Sequence, residues 1–381
     1  MKRFISALIA FTILFTLFPA LAEPNDTVGI SKAASALLMD ADSGKVIMEK
    51  DSGKKTEAAG LKRLPALLTV CRAFDSGELT EETVVTVCDE AAKIKGPTAF
   101  ISANERILAG QLLKAAVILT AGDAIYALLR SVYKSETASL EAVNNVLKEE
   151  GLDPLAGDSI GNGTFFSAND VARISFSLSK SGAFLKYSSV YLDTVTHENA
   201  KPTELTNPNR LVRFYTGCFG VATGSVGSSE YAGAFIARRG STCFLAVILG
   251  MPDSGSRFSL ATNMLDYGFS MFRSVNIGKN CDDLGSVPVI GGKERSVEVG
   301  ADGVMNVLMP IGDTKIKTEV ILPEEIEAPV EKGAVIGTFK IFNSSGELIG
   351  EVPITAKNTV EKAVFGDYFI LMLLSWLRIR S

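Results

Sequence analysis

Apolar and polar positions change regime along this chain. Residues 37–40 and 45–48 are two short apolar runs around Ala41-Asp42-Ser43-Gly44, the pattern of a β-hairpin. From 61 to 74 the apolar residues stand at 61, 64, 67, 68, 71 and 74, a helical period that Gly77 closes. Residues 107–133 and 140–147 also read as helix. Ser167-Ala168-Asn169-Asp170 precedes another apolar run, so a capping box is expected to open a helix reaching Ser179. Residues 231–238 and 243–249 read as strands around Arg239-Gly240, and 258–272 as a closing helix. Strands at both ends of a helical middle predict an α+β domain. Past residues 274–286 the pattern becomes short strands at 287–290, 296–299, 305–309, 317–322, 335–342 and 348–354, broken by Gly, Pro and Asp. That spacing predicts a small all-β module.

The two ends differ from both. Lys2 and Arg3 precede an apolar run over 4–18, and Ala20-Leu21-Ala22 is a small-x-small cleavage site, so 1–22 reads as a signal peptide. The run is short for an uncleaved span, which needs about 20 residues. Its removal takes two bases and no acid, moving the net charge from -5 to -7. An exported, extracytoplasmic protein is expected. At the other end, Tyr368-Phe369-Ile370-Leu371-Met372-Leu373-Leu374-Ser375-Trp376-Leu377 leads to Arg378 and Arg380. It is too short to span and suits the interface, so 365–381 reads as a tail lying at the membrane surface.

Composition removes some functions. With 38 basic and 43 acidic residues and no basic stripe, nothing points to nucleic acid. Five cysteines, an odd number without regular spacing, imply neither a disulfide framework nor a metal site. No cofactor is indicated. Any His-dependent nucleophile would have to use His197, which sits in the polar stretch Thr196-His197-Glu198-Asn199 and is expected on a surface loop.

Residues 204–224 read Glu-Leu-Thr-Asn-Pro-Asn-Arg-Leu-Val-Arg-Phe-Tyr-Thr-Gly-Cys-Phe-Gly-Val-Ala-Thr-Gly. This run resembles the approach to the third active-site motif of the D-alanyl-D-alanine carboxypeptidases, the low-molecular-mass penicillin-binding proteins. Residues 36–49 and Leu112-Leu113-Lys114-Ala115 resemble the same family, as does Ala328-Pro329-Val330-Glu331-Lys332-Gly333 in the second module. The resemblance implies a penicillin-recognising serine peptidase domain (23–275), a β-rich C-terminal domain (284–357) and a substrate in the peptidoglycan stem peptide. It also implies three motifs: a serine one helical turn before a lysine, a Ser-x-Asn loop, and a Lys-Thr-Gly strand that holds the substrate carboxylate.

Each motif is altered here. The first aligns with Glu57-Ala58-Ala59-Gly60-Leu61-Lys62: Lys62 remains, but the nucleophile position is Ala59. Pro65 would clash with the carbonyl of Leu61 in a regular helix, so an altered helix start is expected. The second aligns with Thr120-Ala121-Gly122-Asp123-Ala124, which keeps a hydroxyl and loses the amide at Gly122. The third is Ala222-Thr223-Gly224, without its cation. The expected function is a non-catalytic homologue with a binding or regulatory role in the cell envelope. Two alternatives remain: an active carboxypeptidase using Thr120 with Lys62 as base, and a membrane-proximal scaffold. Changing Ala59→Ser, Gly122→Asn and Ala222→Lys together is expected to restore more than Ala59→Ser alone. Ser52-Gly53-Lys54-Lys55, Ser102-Ala103-Asn104, Ser167-Ala168-Asn169 and Lys180-Ser181-Gly182 mimic the motifs, but their turn, loop, cap and helix-end settings argue against them.

Overall fold

A computed structural model describes residues 26–366, apart from 27, 199–200, 229, 278–283, 302–305 and 314. The signal-peptide reading and nearly all of the apolar tail lie outside the described residues.

The first domain is built on a five-stranded antiparallel sheet. From one edge to the other run Val46–Lys50, Ser35–Asp40, Thr242–Met251, Glu230–Arg239 and Cys218–Val226. The central strand Thr242–Met251 shows why the sheet is two-sided. Successive side chains point to opposite faces. Cys243, Leu245, Val247 and Leu249 enter the core beneath the helical layer, while Phe244, Ala246 and Ile248 enter the core beneath helix Ser254–Met271. A strand buried on both faces reads as a continuous apolar run, which is what 243–249 is.

The helical layer lies between strands Val46–Lys50 and Cys218–Val226 in the chain. The α-helix Leu64–Asp75 carries Pro65 in its first turn, where the missing N–H costs nothing. Ala59–Arg63, just before it, is a 3-10 helix, so the expected altered start takes this form. Ser167 Oγ accepts from Asp170 N at 3.1 Å and Asp170 Oδ2 accepts from Ser167 N at 2.9 Å, closing the expected capping box on helix Ala168–Leu178. The continuous helix expected over 107–133 is instead a short strand Arg106–Leu108 and two helices, Ala109–Leu119 and Gly122–Tyr133. Thr120 breaks them with φ +52°. Apolar spacing alone could not locate that break, because the residues on both sides belong to one buried core.

The C-terminal residues form a separate β-rich unit. Its six-stranded sheet runs Lys317–Ile321, Val335–Phe342, Leu348–Ala356, Ser296–Gly300, Ser286–Ile290 and Ile326–Glu327. Val287, Val297, Val299, Phe339, Ile341 and Ile354 fill its core. Strand Phe272–Asn276, which follows the closing helix of the first domain, pairs with Asn306–Pro310. The architecture is therefore α+β followed by an all-β unit. Among the described residues, no helix is long and apolar enough to cross a membrane.

Candidate active site

The first and third altered motifs meet at the edge of the main sheet, and the second reaches the first through Arg63. Asn209 prepares that edge. It is fully buried, its Oδ1 accepts from Leu211 N at 3.1 Å, and its Nδ2 donates to Gly220 O at 3.0 Å. The run before the third motif is thereby fastened to strand Cys218–Val226.

Ala59, Gly60, Thr223 and Gly224 are in direct contact. A methyl group built on Gly60 would lie 3.2 Å from Thr223 O. One built on Gly224 would lie 2.3 Å from Gly60 N and 3.2 Å from Ala59 Cβ. The 3-10 turn therefore rests on the strand backbone to backbone; Gly224 leaves no room for a side chain, and Gly60 leaves only a tight fit. Gly224→Ala is expected to cost about 3 kcal/mol, at the upper end of overpacking. The check is the denaturation midpoint, which should fall at unchanged m. A variant as stable as the parent would show that the turn can lift off the strand.

Ala59 itself is 6% exposed with φ +51°, a left-handed conformation that non-glycine residues rarely adopt. Thr120 is similarly left-handed and buried. Lys62 is half-buried, and its Nζ has no hydrogen-bond or ion-pair partner among the described residues. No hydrogen bond joins it to the Thr120 hydroxyl, the contact an activated nucleophile requires.

Arg63, a residue the sequence reading passed over, fills the space beside Gly122. It is 6% exposed. Nη1 donates to Pro97 O at 3.1 Å and to Thr120 O at 3.0 Å, and Nη2 donates to Lys95 O at 2.8 Å. A methyl group built on Gly122 would lie 2.6 Å from Arg63 Cζ. The guanidinium thus stands where any side chain at 122 would begin. Burial lowers its pKa, against the pull of Asp123 and Asp158. Asp123, next in the chain, accepts from Ala99 N at 2.9 Å, Ala124 N at 2.8 Å and Ile101 N at 3.4 Å. Burial pushes its carboxyl up, while those amides and Arg63 pull it down. Between the two anchored amides, Phe100 is left-handed (φ +57°) and 76% exposed.

A second missed arginine lies behind the third motif. Arg257 Nη1 donates to Gly224 O at 2.9 Å and to Ala232 O at 3.0 Å, and Nη2 donates to Ser254 Oγ at 3.3 Å. Burial, with Arg210 adding to it, lowers its pKa to about 10. So Ala222 supplies no charge, but a cation is fixed to the carbonyl two residues on. The signal was present: Arg257 stands at the helical spacing of Ala261, Met264 and Gly268, a charge on the buried face.

His197 corrects the surface-loop expectation. It is 7% exposed, with Nδ1 2.7 Å from Glu105 Oε1 and Nε2 2.9 Å from Thr203 Oγ1. Both ring nitrogens are satisfied, which is how polar neighbours in the sequence became a buried residue. The contacts tie the hairpin of Leu192–Val195 and Thr203–Thr206 to the loop before Arg106–Leu108. The carboxylate–imidazole–hydroxyl order resembles a catalytic relay, but none of its three members belongs to the three altered motifs.

The motif mimics do not assemble. Ser52 bonds Glu49, Ser167 is a cap, Ser102 N donates to Glu105 Oε2 at 2.9 Å, and Lys180 Nζ lies 3.5 Å from the Phe176 ring centroid. Among the described residues, no group of three His, Cys, Asp or Glu side chains could hold a metal, and Cys71, Cys88, Cys218 and Cys243 are free thiols.

Comparison with known proteins agrees with this architecture. Residues 22–252 match D-alanyl-D-alanine carboxypeptidase, and residues 272–362 match the penicillin-binding protein 5 C-terminal domain. D-alanyl-D-alanine carboxypeptidase DacF of Bacillus subtilis (strain 168) is 28% identical over 390 residues, covering 100% of both chains. DacC of Escherichia coli (strain K12) is 25% identical over 388 residues, covering 96% of this chain and 95% of its own. Penicillin-binding protein 5 from Haemophilus influenzae superposes with a TM-score of 0.76 at 20% identity, over 87% of this chain and 98% of its own. The sheet with its helical layer, the β-rich unit after it and the matches to both together place this chain in the D-alanyl-D-alanine carboxypeptidase family.

Proposed function

We propose that this chain is a non-catalytic carboxypeptidase homologue that binds or regulates in the cell envelope. Membership of the family makes it a carboxypeptidase-like protein of peptidoglycan metabolism. The single observation that carries the finer reading is the filled cleft. Ala59 offers no oxygen where the family has its nucleophile, and Arg63 holds three backbone carbonyls in the space beside Gly122. In this reading Ala59, Lys62, Thr120, Gly122, Ala222, Thr223 and Gly224 are the former catalytic positions. The partner is the peptidoglycan stem peptide, and residues 365–381 rest on the membrane from the extracytoplasmic side.

The test is co-sedimentation. Protein lacking residues 1–22 should pellet with purified sacculi without releasing D-alanine, and with liposomes only while residues 365–381 are present. Recovery in the supernatant of both mixtures would leave the scaffold alternative as the better reading. D-alanine in the sacculus supernatant would sink the non-catalytic one.

A further inference from the structure

The sheet of the β-rich unit ends on strand Lys317–Ile321. That strand pairs with Val335–Phe342 on one side and with no strand among the described residues on the other. All five of its residues are exposed. Such an edge offers a row of backbone N–H and C=O groups to any further strand, and proteins commonly blunt it with a bulge, a proline or charged side chains. The pairs from Lys317↔Phe342 to Ile321↔Thr338 keep one register without a bulge, and the next proline, Pro323, lies beyond the strand. Only charges remain as a device, and Lys317 and Glu319 are of opposite sign two residues apart.

The two faces of the strand differ, because successive side chains alternate between them. Thr318 stands opposite Ile341 and Val320 opposite Phe339, both buried, so Thr318 and Val320 belong to the core face. Ile316 and Leu322 share their parity and pack against the same core. Val320 is nevertheless 43% exposed, because the sheet stops there. On the outer face the charges alternate from strand to strand: Glu351 stands opposite Lys340, and Lys340 opposite Glu319. That row ends at the edge on a carboxylate.

We propose that a second copy of this chain adds its own strand 317–321 antiparallel to this edge, about a twofold axis at Thr318, and joins the two sheets into one. Lys317 of each copy then faces Glu319 of the other, and Ile316 faces Val320 on the core face. The outer row runs Glu351, Lys340, Glu319 and then Lys317 of the second copy, so its alternation continues across the junction. A closed twofold contact needs a self-complementary patch, and only this register supplies one. Centring the pair on Glu319 or on Lys317 sets like charges opposite each other, which is destabilising. Centring it on Val320 sets Lys317 against Pro323, which has no N–H to give. A slip of one residue puts the core face of one copy beside the outer face of the other. The surface lies in the C-terminal unit and does not depend on the reading of the cleft.

The experiment is sedimentation velocity on the full chain over a dilution series, in a mild detergent that keeps the apolar C-terminal run from aggregating. A concentration-dependent dimer is expected. Lys317→Glu and Glu319→Lys should each weaken it about tenfold or more, because two attractive cross-strand pairs become two repulsive ones. An equimolar mixture of these two variants should regain the dimer, since each charge then meets its opposite. Thr318→Cys, at the axis, should give a disulfide-linked dimer on oxidation that the parent chain does not, because residues directly opposite across strands lie within disulfide reach. Unchanged melting temperatures show that the variants fold. A monomer at every concentration overturns the proposal, as does a dimer that neither charge reversal weakens. So does a mixture no more dimeric than its parts, or a Thr318→Cys chain that cross-links no more than the parent.

Discussion

No band labelled by a fluorescent penicillin is expected to survive denaturation of this protein, and no D-alanine is expected from a pentapeptide substrate. The covalent intermediate needs an oxygen at position 59, and Ala59 has none. In a comparable serine hydrolase, loss of the nucleophile costs about a millionfold in turnover. Lys62 cannot make up the loss, because an amine at the base position has no hydroxyl to deprotonate. Thr120 is the hydroxyl kept at the second motif, but it is held left-handed, its carbonyl is occupied by Arg63, and no hydrogen bond joins its hydroxyl to Lys62. A labelled band would refute this. If Thr120→Val then abolished the band, Thr120 would be the substitute nucleophile.

Rebuilding the motifs is expected to damage the protein before it restores any activity. Ala59→Ser alone should leave acylation undetectable, because the carboxylate end of a substrate still meets Ala222. The triple change with Gly122→Asn and Ala222→Lys, which the sequence favours, meets an obstacle the structure reveals. The new side chain at 122 would start 2.6 Å from Arg63 Cζ. The guanidinium can leave only by giving up the carbonyls of Lys95, Pro97 and Thr120, and it is a buried charge. Hydrogen bonds to a charged group are worth about 1.5–3 kcal/mol each, so a loss of about 3 kcal/mol is a modest expectation. In a domain of this size that lowers the melting temperature by roughly 6–12 °C. Adding Arg63→Ala to the triple variant should recover part of it, because an asparagine amide can donate to the vacated carbonyls. A triple variant that melts with the parent would show that Arg63 moves freely. Acylation of Ala59→Ser at the rate of an active relative would sink the expectation about activity.

The elements that proved legible were those whose signal is local. The capping box at Ser167 needs only its own four residues, and the two-faced strand Thr242–Met251 announces itself as an unbroken apolar run. The edges of the altered motifs were readable as words in the chain. The break at Thr120 was not, because the apolar period runs through it. Burial of His197 depends on Glu105, 92 residues away, which no window along the chain could supply. Arg63 was hidden for a related reason. As sequence it is a second base beside Lys62, and only the approach of the 95–97 loop and of Gly122 gives it an interior.

The pairing of Arg63 with Gly122 also shapes the mutational paths open to this chain. Taken singly, either step is downhill. A side chain at 122 collides with the guanidinium, and shortening Arg63 strands three backbone carbonyls around a hollow. Contacting residues of this kind couple by about 0.5–3 kcal/mol, so the two steps are tolerated together and penalised apart. The site therefore behaves as a ratchet. On the non-catalytic reading, restoring a hydroxyl at 59 takes one substitution, but making room for a side chain at 122 means crossing a less stable intermediate first, one residue away from Lys62.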